Sequence, residues 1–522
     1  MNARRFFTVF ALFITALVHA QQPQANLFTI PNQSTQFVRM PARHASQEID
    51  AVFFNPAGAV ALEDGFHLSL NNQILNQWTS VESEYSQFRD GRHEYSGHVT
   101  GFVFPSIFAT YNTGRWSVQA GFNMIGGTGG VEYGNLPIAE RGLSDIPQAL
   151  VTNLNLAQLD AEQEALTGTD PMYRNITDYR YKFQNQGLGY SPGLQVNVGF
   201  EVTDMVQVAV GGRFLMQTQR SEGYTTDIEI YNEQNGGWVQ PGNYLRAIGA
   251  ETNNPFLTNV ASVYDELAVD RQIDVKQSGF GFSPIVSVNV EPSDRLNIGL
   301  KYEHRARMSL TTTVYDGKHG GQATAEDRTV FVDGEEVRSD IPGFVAAGIS
   351  YDVFDQWTVA GGMRYMFIQN AEMNGREDFI SGNYYELEFG TEYRFSKRFL
   401  VSGGYTWNHP GVEPGYQNEV DFWVPGHTVA LGGGYSISKA VMLNMGAMYT
   451  RFLDRSYTYD DHVFAQNTLV PVSAPEGYDN TYTMDTRKSA FIFAVGVDID
   501  FRAGRLEARA GDVDTEYDAT DF

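Results

Sequence analysis

Few residues in this 522-residue chain have the types and spacing that catalysis or metal binding requires. Asp460-Asp461-His462 offers three metal-ligating side chains in a row, but the group falls in a long predicted loop without a further spaced ligand, which favours simple solvation. Residues 512–516, DVDTE, match part of a calcium-binding loop without its central glycine and closing glutamate. None of the ten histidines is tied by spacing to a nucleophile and an orienting partner. The sequence therefore predicts no catalytic residue, no metal site, no cofactor and no enzymatic activity.

The Asn55-Pro56-Ala57-Gly58 turn offers conformational rather than reactive chemistry. Pro56 has no N–H to give to a β-ladder, and it disfavours helical backbone angles at Asn55. Gly58 relieves the backbone directly after it. The turn lies within an apolar stretch, EIDAVFFNPAGAVAL, at positions 48–62. Such a turn is typical of a segment folded back inside a larger structure rather than of a strand in a sheet.

The composition restricts the class of protein that must position this turn. The chain contains no cysteine, which excludes disulfides and thiolate metal sites. Its formal net charge of -26 argues against nucleic acid, because phosphate binding needs a basic face. Aromatic residues make up 13% of the chain and glycine occurs 52 times. This combination favours many short strands with aromatic girdles over a helical enzyme.

The two ends of the chain differ from the rest. Residues 1–20 have the organisation of a secretory signal peptide, with a basic start, an apolar core and a small-residue cleavage site. The alternative, an N-terminal membrane anchor, needs an apolar run of ~20 residues, which is longer than this one. Residues 21–61 are too few to form their own core and should fold only against the rest. Residues 502–522 form an acidic tail that we expect to be disordered and periplasmic.

Residues 62–501 repeatedly alternate apolar and polar side chains, which is the pattern of β-strands. Tight turns follow the even strands and long loops follow the odd ones. A β-sandwich or propeller shows the same alternation but has no reason to segregate its loops in this way. The sequence therefore predicts an all-β fold, a fourteen-stranded antiparallel transmembrane β-barrel. The predicted strands are 64–80, 97–112, 115–128, 179–202, 205–220, 276–291, 294–314, 338–352, 356–370, 380–396, 398–408, 424–437, 440–455 and 487–501.

The Asn55-Pro56-Ala57 turn, placed between a signal peptide and an antiparallel array, resembles the signature of the FadL-type outer-membrane transporters of long-chain fatty acids, toluene and related hydrophobic compounds. In that family an Asn-Pro-Ala turn lies in an N-terminal hatch. The resemblance implies that residues 21–61 form a small hatch inside the lumen. It also implies that Asn55, Pro56 and Ala57 take part in gating.

The resemblance further implies an inward kink in the third strand that opens a lateral exit. That strand ends in a glycine-rich run, in which Gly126 and Gly127 are the candidates for the kink. Glycine inside a strand weakens pairing and marks bulges or bends. The alternative is a glycine-rich strand end that merely enters a loop.

Two of the long loops show helical periodicity. Residues 144–164 have an apolar stripe, and a second stripe follows Asn254-Pro255, a helix cap and first-turn pair. These stripes either dock the loops on the barrel rim or frame an outward-facing groove. The resemblance implies helical external loops with a low-affinity hydrophobic groove, which favours the second alternative. The candidate groove residues are Ile146, Leu150, Leu154, Phe256, Val260 and Val263.

The strand phase also predicts what faces the lumen. Arg213 and Arg364 fall in the inward phase, where they meet either a ligand carboxylate or acidic lumen residues, and we favour the acidic residues. Met442 and Met448 make part of the lumen apolar and pliable, whereas Met363 falls in the outward phase. A mixed lumen suits a hydrophobic ligand better than a charged, water-filled channel does.

Together these features predict a bacterial outer-membrane protein for the passive uptake of hydrophobic compounds, with long-chain fatty acids and aromatic hydrocarbons both compatible. The family resemblance implies that movement of the hatch releases the ligand through the exit in the third strand. We expect contacts with outer-membrane lipid and lipopolysaccharide, no nucleic acid partner and a monomer. The chief alternative is a non-transporting structural or adhesive barrel that binds a partner through its long loops. A third alternative, an outer-membrane enzyme, predicts a catalytic set at the lumen or rim.

Overall fold

A computed structural model describes residues 34–127, 131–233, 237–316, 331–372, 376–417, 419, 422–460 and 481–502. Fourteen antiparallel strands follow one another around a closed barrel, in which the first strand pairs with both the second and the last. This confirms the predicted fold class and strand number. The predicted signal peptide and the tail beyond residue 502 lie outside the described residues.

Four of the spanning strands consist of two segments each. The strands are β1 Gly65–Glu84, β2 Arg92–Thr113, β3 Trp116–Gly127 with Val131–Tyr133, β4 Ile176–Thr203, β5 Val206–Asn232, β6 Arg271–Ser293, β7 Leu296–Glu303 with Ser309–Asp316, β8 Glu336–Arg338 with Phe344–Phe354, β9 Trp357–Met366, β10 Tyr384–Arg394, β11 Phe399–His409, β12 Gly426–Ser438, β13 Val441–Phe452 with Arg455–Asp460, and β14 Thr481–Arg502.

Helices occur in the N-terminal segment and in the long loops. The α-helices are α1 Thr35–Arg39, α2 Ala51–Phe54, α3 Pro137–Asn153, α4 Leu156–Thr167, α5 Pro241–Glu251 and α6 Pro255–Leu267. Short 3₁₀ helices span Gly58–Ala61, Ile368–Asn370, Glu377–Phe379 and Pro414–Tyr416, and a loop strand, Gly237–Val239, pairs with β5. Within the described residues, no helix combines the length and the apolar character that crossing a membrane would need.

The alternating sequence of the strands sorts side chains between two faces. In β7, Ile298 and Leu300 point outward and are exposed, whereas Asn297 and Lys301 point into the barrel and are buried. An apolar exterior and a polar interior are what a barrel in lipid needs, because lipid cannot solvate polar side chains. Aromatic side chains exposed on the outer wall include Tyr302, Tyr351, Trp357, Tyr393, Tyr405, Tyr435 and Tyr449.

The connections differ at the two ends of the barrel, as the sequence predicts. Short turns join β2 to β3, β4 to β5 and the later even strands to the next strand, and Gly114 closes the first of these with a left-handed φ of 55°. The helices α3 to α6 lie in loops at the opposite end. The helical stripe predicted at 144–164 is divided between α3 and α4, because Asn155 adopts a left-handed conformation with φ 51°.

The barrel wall is taller on one side than on the other. Strands β1, β2, β4, β5, β6 and β14 have 20 to 28 residues, whereas β9 to β12 have 10 to 13. The predicted end of β5 at residue 220 is therefore wrong by a dozen residues. The strand continues because Ile228 and Ile230 still alternate with polar residues and pack beneath the loop helices.

Candidate functional site

Residues 34–62 lie inside the barrel and contact its wall around the circumference; we call them the plug. Phe37, Val52 and Phe54 of the plug form one buried cluster with Leu75 of β1 and Phe108 of β2. The rings of Phe37 and Phe54 stack with their centroids 5.3 Å apart. A segment this short has no independent core, so the barrel wall supplies most of its apolar contacts.

The turn predicted from the sequence is bonded to the wall through Asn55. Its Nδ2 donates to the backbone oxygen of Ser46 at 3.1 Å and to Oδ1 of Asn289 at 2.7 Å. Its Oδ1 accepts a hydrogen bond from the Ser287 hydroxyl at 3.2 Å, and the Ala57 N–H donates to that same hydroxyl at 3.3 Å. Asn55 is fully buried, so these bonds satisfy polar groups that water does not reach.

Mainly neutral side chains of the wall hold the second part of the plug, residues 51–62, which we call the neutral half, and the charged Lys301 also binds there, to the Phe53 backbone oxygen. Side-chain amides of β2, β3 and β4 donate to plug carbonyls on this side. The bonds include Asn112 Nδ2 to the Ala59 oxygen at 2.9 Å, Gln119 Nε2 to the Pro56 oxygen at 2.7 Å and Gln195 Nε2 to the Val52 oxygen at 2.8 Å. Each neutral bond of this kind contributes roughly 0.5–1.5 kcal/mol net.

Ion pairs hold the first part of the plug, residues 34–50, which we call the charged half. Arg39 is fully buried and forms an ion pair with Glu392 of β10. Within the plug, Arg43 binds Asp50 and Glu48, each at 2.7 Å. Removing one partner of a buried ion pair costs about 3–5 kcal/mol, because the other charge is left buried without compensation.

The charge network fixes the ionisation of Glu48. Burial alone would raise the pKa of its carboxyl group, but the positive charges of Arg43, Arg39 and Arg394 outweigh that effect and lower the pKa to about 2. Glu48 is therefore ionised at neutral pH. Its negative charge joins the plug to the wall, because Arg394 belongs to β10.

A belt of glycines lines the inner wall where the charged half runs past it. A Cβ atom added at Gly348 would lie 2.6 Å from the backbone of Ala45 and His44, and one added at Gly446 would lie 2.8 Å from the Arg39 nitrogen. Plug atoms lie 2.1 to 2.6 Å from the corresponding positions at Gly299, Gly390, Gly404, Gly432 and Gly496. Only glycine therefore allows this half of the plug to lie so close to the wall.

The ladder between β2 and β3 is interrupted. From the short-turn end, the register runs up to the Ile107–Phe122 pair, and among the described residues it next appears at a single pair, His98–Glu132. On its other side β3 stays paired with β4 as far as Gly127. The described part of the wall therefore has a break in backbone hydrogen bonding on one side of β3.

Bulges lie next to this break. In β3, Ile125 is an extra residue between Met124 and Gly126, which pair with adjacent residues of β4. In β2, residues 101–104 contain an irregularity opposite β1. The candidate kink residues thus lie directly after a bulge, with Gly127 the last residue of this segment of β3. Bulges bend and twist a strand, which is consistent with β3 separating from β2 here.

An apolar cluster on the inner wall lies beside the β3 bulge. Leu215, Met308 and Leu310 are almost completely buried in it, and Ile125 packs against it. Gly193 of β4 lies next to both Ile125 and Arg213 of β5, so a charged group adjoins the cluster.

Two cations adjoin this cluster at the plug surface. Arg213 and Lys301 lie 4.4 and 4.7 Å from the ring centre of Phe53, and each pairs with Glu303 at 3.1 Å. Lys301 also donates to the Phe53 backbone oxygen at 2.7 Å. All three charged side chains are buried, so two cations share one carboxylate.

The lumen residues predicted from the strand phase face inward. Arg213 pairs with a lumen acid as described above, and Arg364 pairs with Glu386 at 3.2 Å, which confirms the expected pairing. Met448 is buried in the cluster that includes the plug, whereas Met363 is exposed on the outer wall. The lumen is therefore both charged and apolar.

Three of the six candidate groove residues lie in the interior of the loop layer. Ile146, Leu150 and Leu154 are buried in one cluster with residues of α5, α6 and β5. Their stripe docks α3 on the neighbouring elements and does not face outward. The positions of these three residues therefore fit the first alternative, in which the stripe docks the loop on the barrel.

The other three candidate groove residues lie on α6. Val260 and Val263 are partly buried against the same cluster. Phe256, in the first turn of the helix, is 53% exposed. Phe256 is therefore the candidate that presents an apolar surface to the outside.

Sequence reasoning missed the residues that anchor the charged half of the plug. Arg39 and Arg43 lie in a stretch without periodicity, so neither the distant strand partner of Arg39, Glu392, nor the pairing of Arg43 within the plug was foreseeable. The glycine belt had a visible signal, because glycines occupy inward positions on neighbouring strands, as at Gly299 and Gly348. No group of metal-ligating side chains occurs among the described residues, and Asp461 and His462 lie outside them.

A closed antiparallel barrel with an apolar exterior and an internal plug defines the class of plugged outer-membrane-type barrels. The chain belongs to the family of outer membrane transport proteins that includes OMPP1, FadL and TodX, whose model matches residues 16–501. Members of this family are transport proteins of the outer membrane.

Solved structures share the fold at low sequence identity. A FadL homologue from Pseudomonas aeruginosa has 12% identity and a TM-score of 0.56, with 91% of this chain and 99% of that chain covered. The toluene transporter TodX from P. putida has 12% identity and a TM-score of 0.51, with 87% of this chain and 94% of that chain covered. No protein of curated function matches the sequence.

Proposed function

We propose that the protein carries hydrophobic compounds passively across the bacterial outer membrane and releases them sideways between β2 and β3. The observation that carries this proposal is the break in the β2–β3 ladder beside the apolar cluster of Leu215, Met308 and Leu310. A water-filled pore gives an apolar solute no favourable route, because its far end returns the solute to water. A sideways exit delivers the solute to the apolar part of the membrane. Membership of an outer-membrane transport family supports the location.

The charges beside the cluster favour a ligand with a carboxylate. Arg213 and Lys301 share Glu303, which leaves one net positive charge in a buried site. A long-chain fatty acid would place its carboxylate near these cations and its chain along Leu215 and Met308. A neutral aromatic compound such as toluene, which the TodX relative transports, would use the apolar cluster alone.

The neutral half of the plug, which contains Asn55, Pro56 and Ala57, is the part that we propose moves. It bonds to β2, β3 and β4, and so it lies next to the break. Most of its bonds to the wall are neutral hydrogen bonds, which cost about 1 kcal/mol each to break, and Lys301 adds a charge-assisted bond to Phe53. In the charged half the buried Arg39–Glu392 pair joins the plug to the wall, and removing one partner of such a pair costs about 3–5 kcal/mol. Motion should therefore begin in the neutral half while the charged half remains in place.

The exit lies along β3 at Gly126 and Gly127, which follow the Ile125 bulge. Capture takes place at the long-loop end of the barrel. There Phe256 offers an exposed apolar surface on α6, and Val260 and Val263 lie partly exposed beside it. The buried stripe of α3 would support this surface rather than contact the ligand.

Uptake of radiolabelled oleate tests the proposal in cells that lack their own transporter of hydrophobic compounds. The unmodified protein should restore uptake, and Asn55→Ala and Gly126→Pro should each change the initial rate at least threefold at equal amounts of folded barrel. Gly361→Ala is the matched control, because a Cβ at Gly361 meets nothing closer than 3.7 Å. No uptake by the unmodified protein, of either oleate or toluene, would contradict the transport function.

A further inference from the structure

The outer wall has a groove of about 580 Å³ that the transport route does not use. It crosses β13, β14, β1, β2 and the second segment of β3. One register row runs through it, in which Arg451 pairs with Ser489, Ser489 with Trp78, Trp78 with His98 and His98 with Glu132. All five side chains belong to the outward phase of their strands, so the groove faces the surroundings of the barrel.

Small side chains form the floor of the groove and large ones form its walls. Ser489, Ser80 and Ser96 supply three hydroxyl groups along the floor. Trp78 and His98 form one wall, with their rings stacked and the ring centroids 5.3 Å apart. A flat aromatic wall beside hydroxyl groups suits a ring that is apolar on its face and polar at its edge, such as a sugar.

Two arginines form the opposite wall. Arg451 lies 2.7 Å from Asp454, and Arg487 lies 3.7 Å from Glu82, which Arg92 also binds. The Arg451 and Arg487 side chains are 47% and 53% exposed, so part of each guanidinium group faces outward. A guanidinium group with free edges binds phosphate in a bidentate manner.

The outward side chains around the groove change from apolar to charged along the strands. Along the same strands, towards the short-turn end, the next outward side chains include the exposed aromatics Tyr449 and Phe491. Towards the long-loop end, the outward side chains become charged, as at Glu82 and Asp485. Aromatic residues mark the interface of a transmembrane barrel, so Trp78 stands at the boundary between the apolar band and the polar region.

We propose that this groove binds the phosphorylated sugar headgroup of a lipid A molecule in the outer leaflet. Arg451 and Arg487 would bind its phosphate, Trp78 would stack on its sugar ring, and the serine hydroxyls would bond to the ring's polar edge. Its acyl chains would lie along Phe491 towards the apolar band. The inference extends the expected contact with lipopolysaccharide to a defined site, and it rests on the outer-membrane location rather than on transport.

Native mass spectrometry of the detergent-purified protein with added bisphosphorylated lipid A tests this site. Replacing both arginines, Arg451→Ala with Arg487→Ala, should weaken lipid A binding at least tenfold. The matched control is Arg115→Ala with Arg295→Ala, which removes two half-exposed arginines at the short-turn rim, each 3.8 Å from an acid. The control should bind lipid A within twofold of the unmodified protein.

Lipid A without its phosphates should bind the unmodified protein as weakly as bisphosphorylated lipid A binds the double variant. Equal binding of lipid A to the double variant and the control would overturn the proposed site, and so would equal binding of the two lipids to the unmodified protein. Oleate uptake is measured separately. If the unmodified protein binds lipid A but takes up no oleate or toluene, the transport function fails and the lipid A site stands.

Discussion

At the scale of single residues, Arg213 and Lys301 set the kind of ligand that the lumen accepts. Both are buried beside the apolar cluster, and together they exceed the single carboxylate of Glu303 by one charge. A ligand carboxylate would add a charge-assisted hydrogen bond of about 1.5–3 kcal/mol in such a place. These two side chains thus determine whether the lumen prefers acidic or neutral hydrophobic ligands.

We expect Arg213→Met to weaken oleate binding about tenfold, which corresponds to about 1.4 kcal/mol. Toluene binding should change less than twofold, because the apolar cluster is kept. Glu303 stays paired with Lys301 in this variant. The control is Arg364→Met, which removes a partly buried lumen arginine that pairs with Glu386. Titration calorimetry in detergent measures both ligands, and an equal loss for oleate and toluene would refute the role of the charge.

Asn55 should govern the mobility of the neutral half. The chain has no cysteine, so a single introduced thiol can be followed without background. In the Asn55→Ala background, the thiol of Ala57→Cys should react with a maleimide at least tenfold faster than with Asn55 present. The thiol of Val38→Cys in the charged half should show no such acceleration. Equal acceleration at the two positions would mean that the plug moves as one body.

Glu48 should make the plug sensitive to strong acid. Its pKa is lowered from 4.5 to about 2 in the folded protein, so its contribution to stability is complete above pH 4.5 and is lost as the pH falls towards 2. The leak conductance in planar bilayers should stay at baseline at neutral pH and rise only in that acidic window. Glu48→Gln should already leak at pH 7, and a tight Glu48→Gln channel would contradict this role.

At the scale of elements, the glycine belt and the plug fit each other as surfaces. The belt lies on strands that face the charged half, where the plug backbone itself approaches the wall. The neutral half is instead bonded by the amide side chains of β2 to β4 and β6. The backbone of the charged half therefore lies directly against the wall, whereas side-chain hydrogen bonds connect the neutral half to it.

Gly348→Ala should displace the charged half, because the new Cβ would lie 2.6 Å from plug backbone atoms that have no flexible side chain to give way. We expect a leak of small polar solutes through the barrel at least threefold above that of Gly361→Ala, the control with open space around its Cβ. Liposome swelling measures the leak. Identical swelling rates for the two variants would show that the belt does not seat the plug.

Strand number, order and turn ends were predictable because outward and inward side chains alternate along each strand, as in β7 and β14. The long-loop end of β5 was less so, since polar residues there look like loop, whereas the predicted start of β4 at residue 179 lies within three residues of Ile176. The plug's anchors were not predictable at all. Arg39 meets Glu392 across 353 positions of sequence, and no local pattern encodes such a pairing.

At the scale of the whole molecule, the barrel closes on itself, and among the described residues its ladders are interrupted between β2 and β3 and also between β6 and β7, where pairing stops between Ile285–Glu303 and Ser278–Thr311. A closed barrel satisfies the backbone hydrogen-bonding groups in lipid. A local break in a ladder loses some of these hydrogen bonds, and we therefore expect it to have a function. The β2–β3 break lies next to the neutral half of the plug and the apolar cluster, and we propose that these three features form a continuous route from lumen to wall.

Deleting Ile125 tests this route most directly, because it removes the β3 bulge and allows the strand to follow a regular register with β4. Val353, the extra residue of a bulge near the β8–β9 turn, is the matched deletion elsewhere in the wall. With equal amounts of folded barrel, we expect at least a tenfold loss of oleate uptake for the Ile125 deletion and less than a twofold change for the Val353 deletion. Unchanged uptake after deletion of Ile125 would contradict release between β2 and β3.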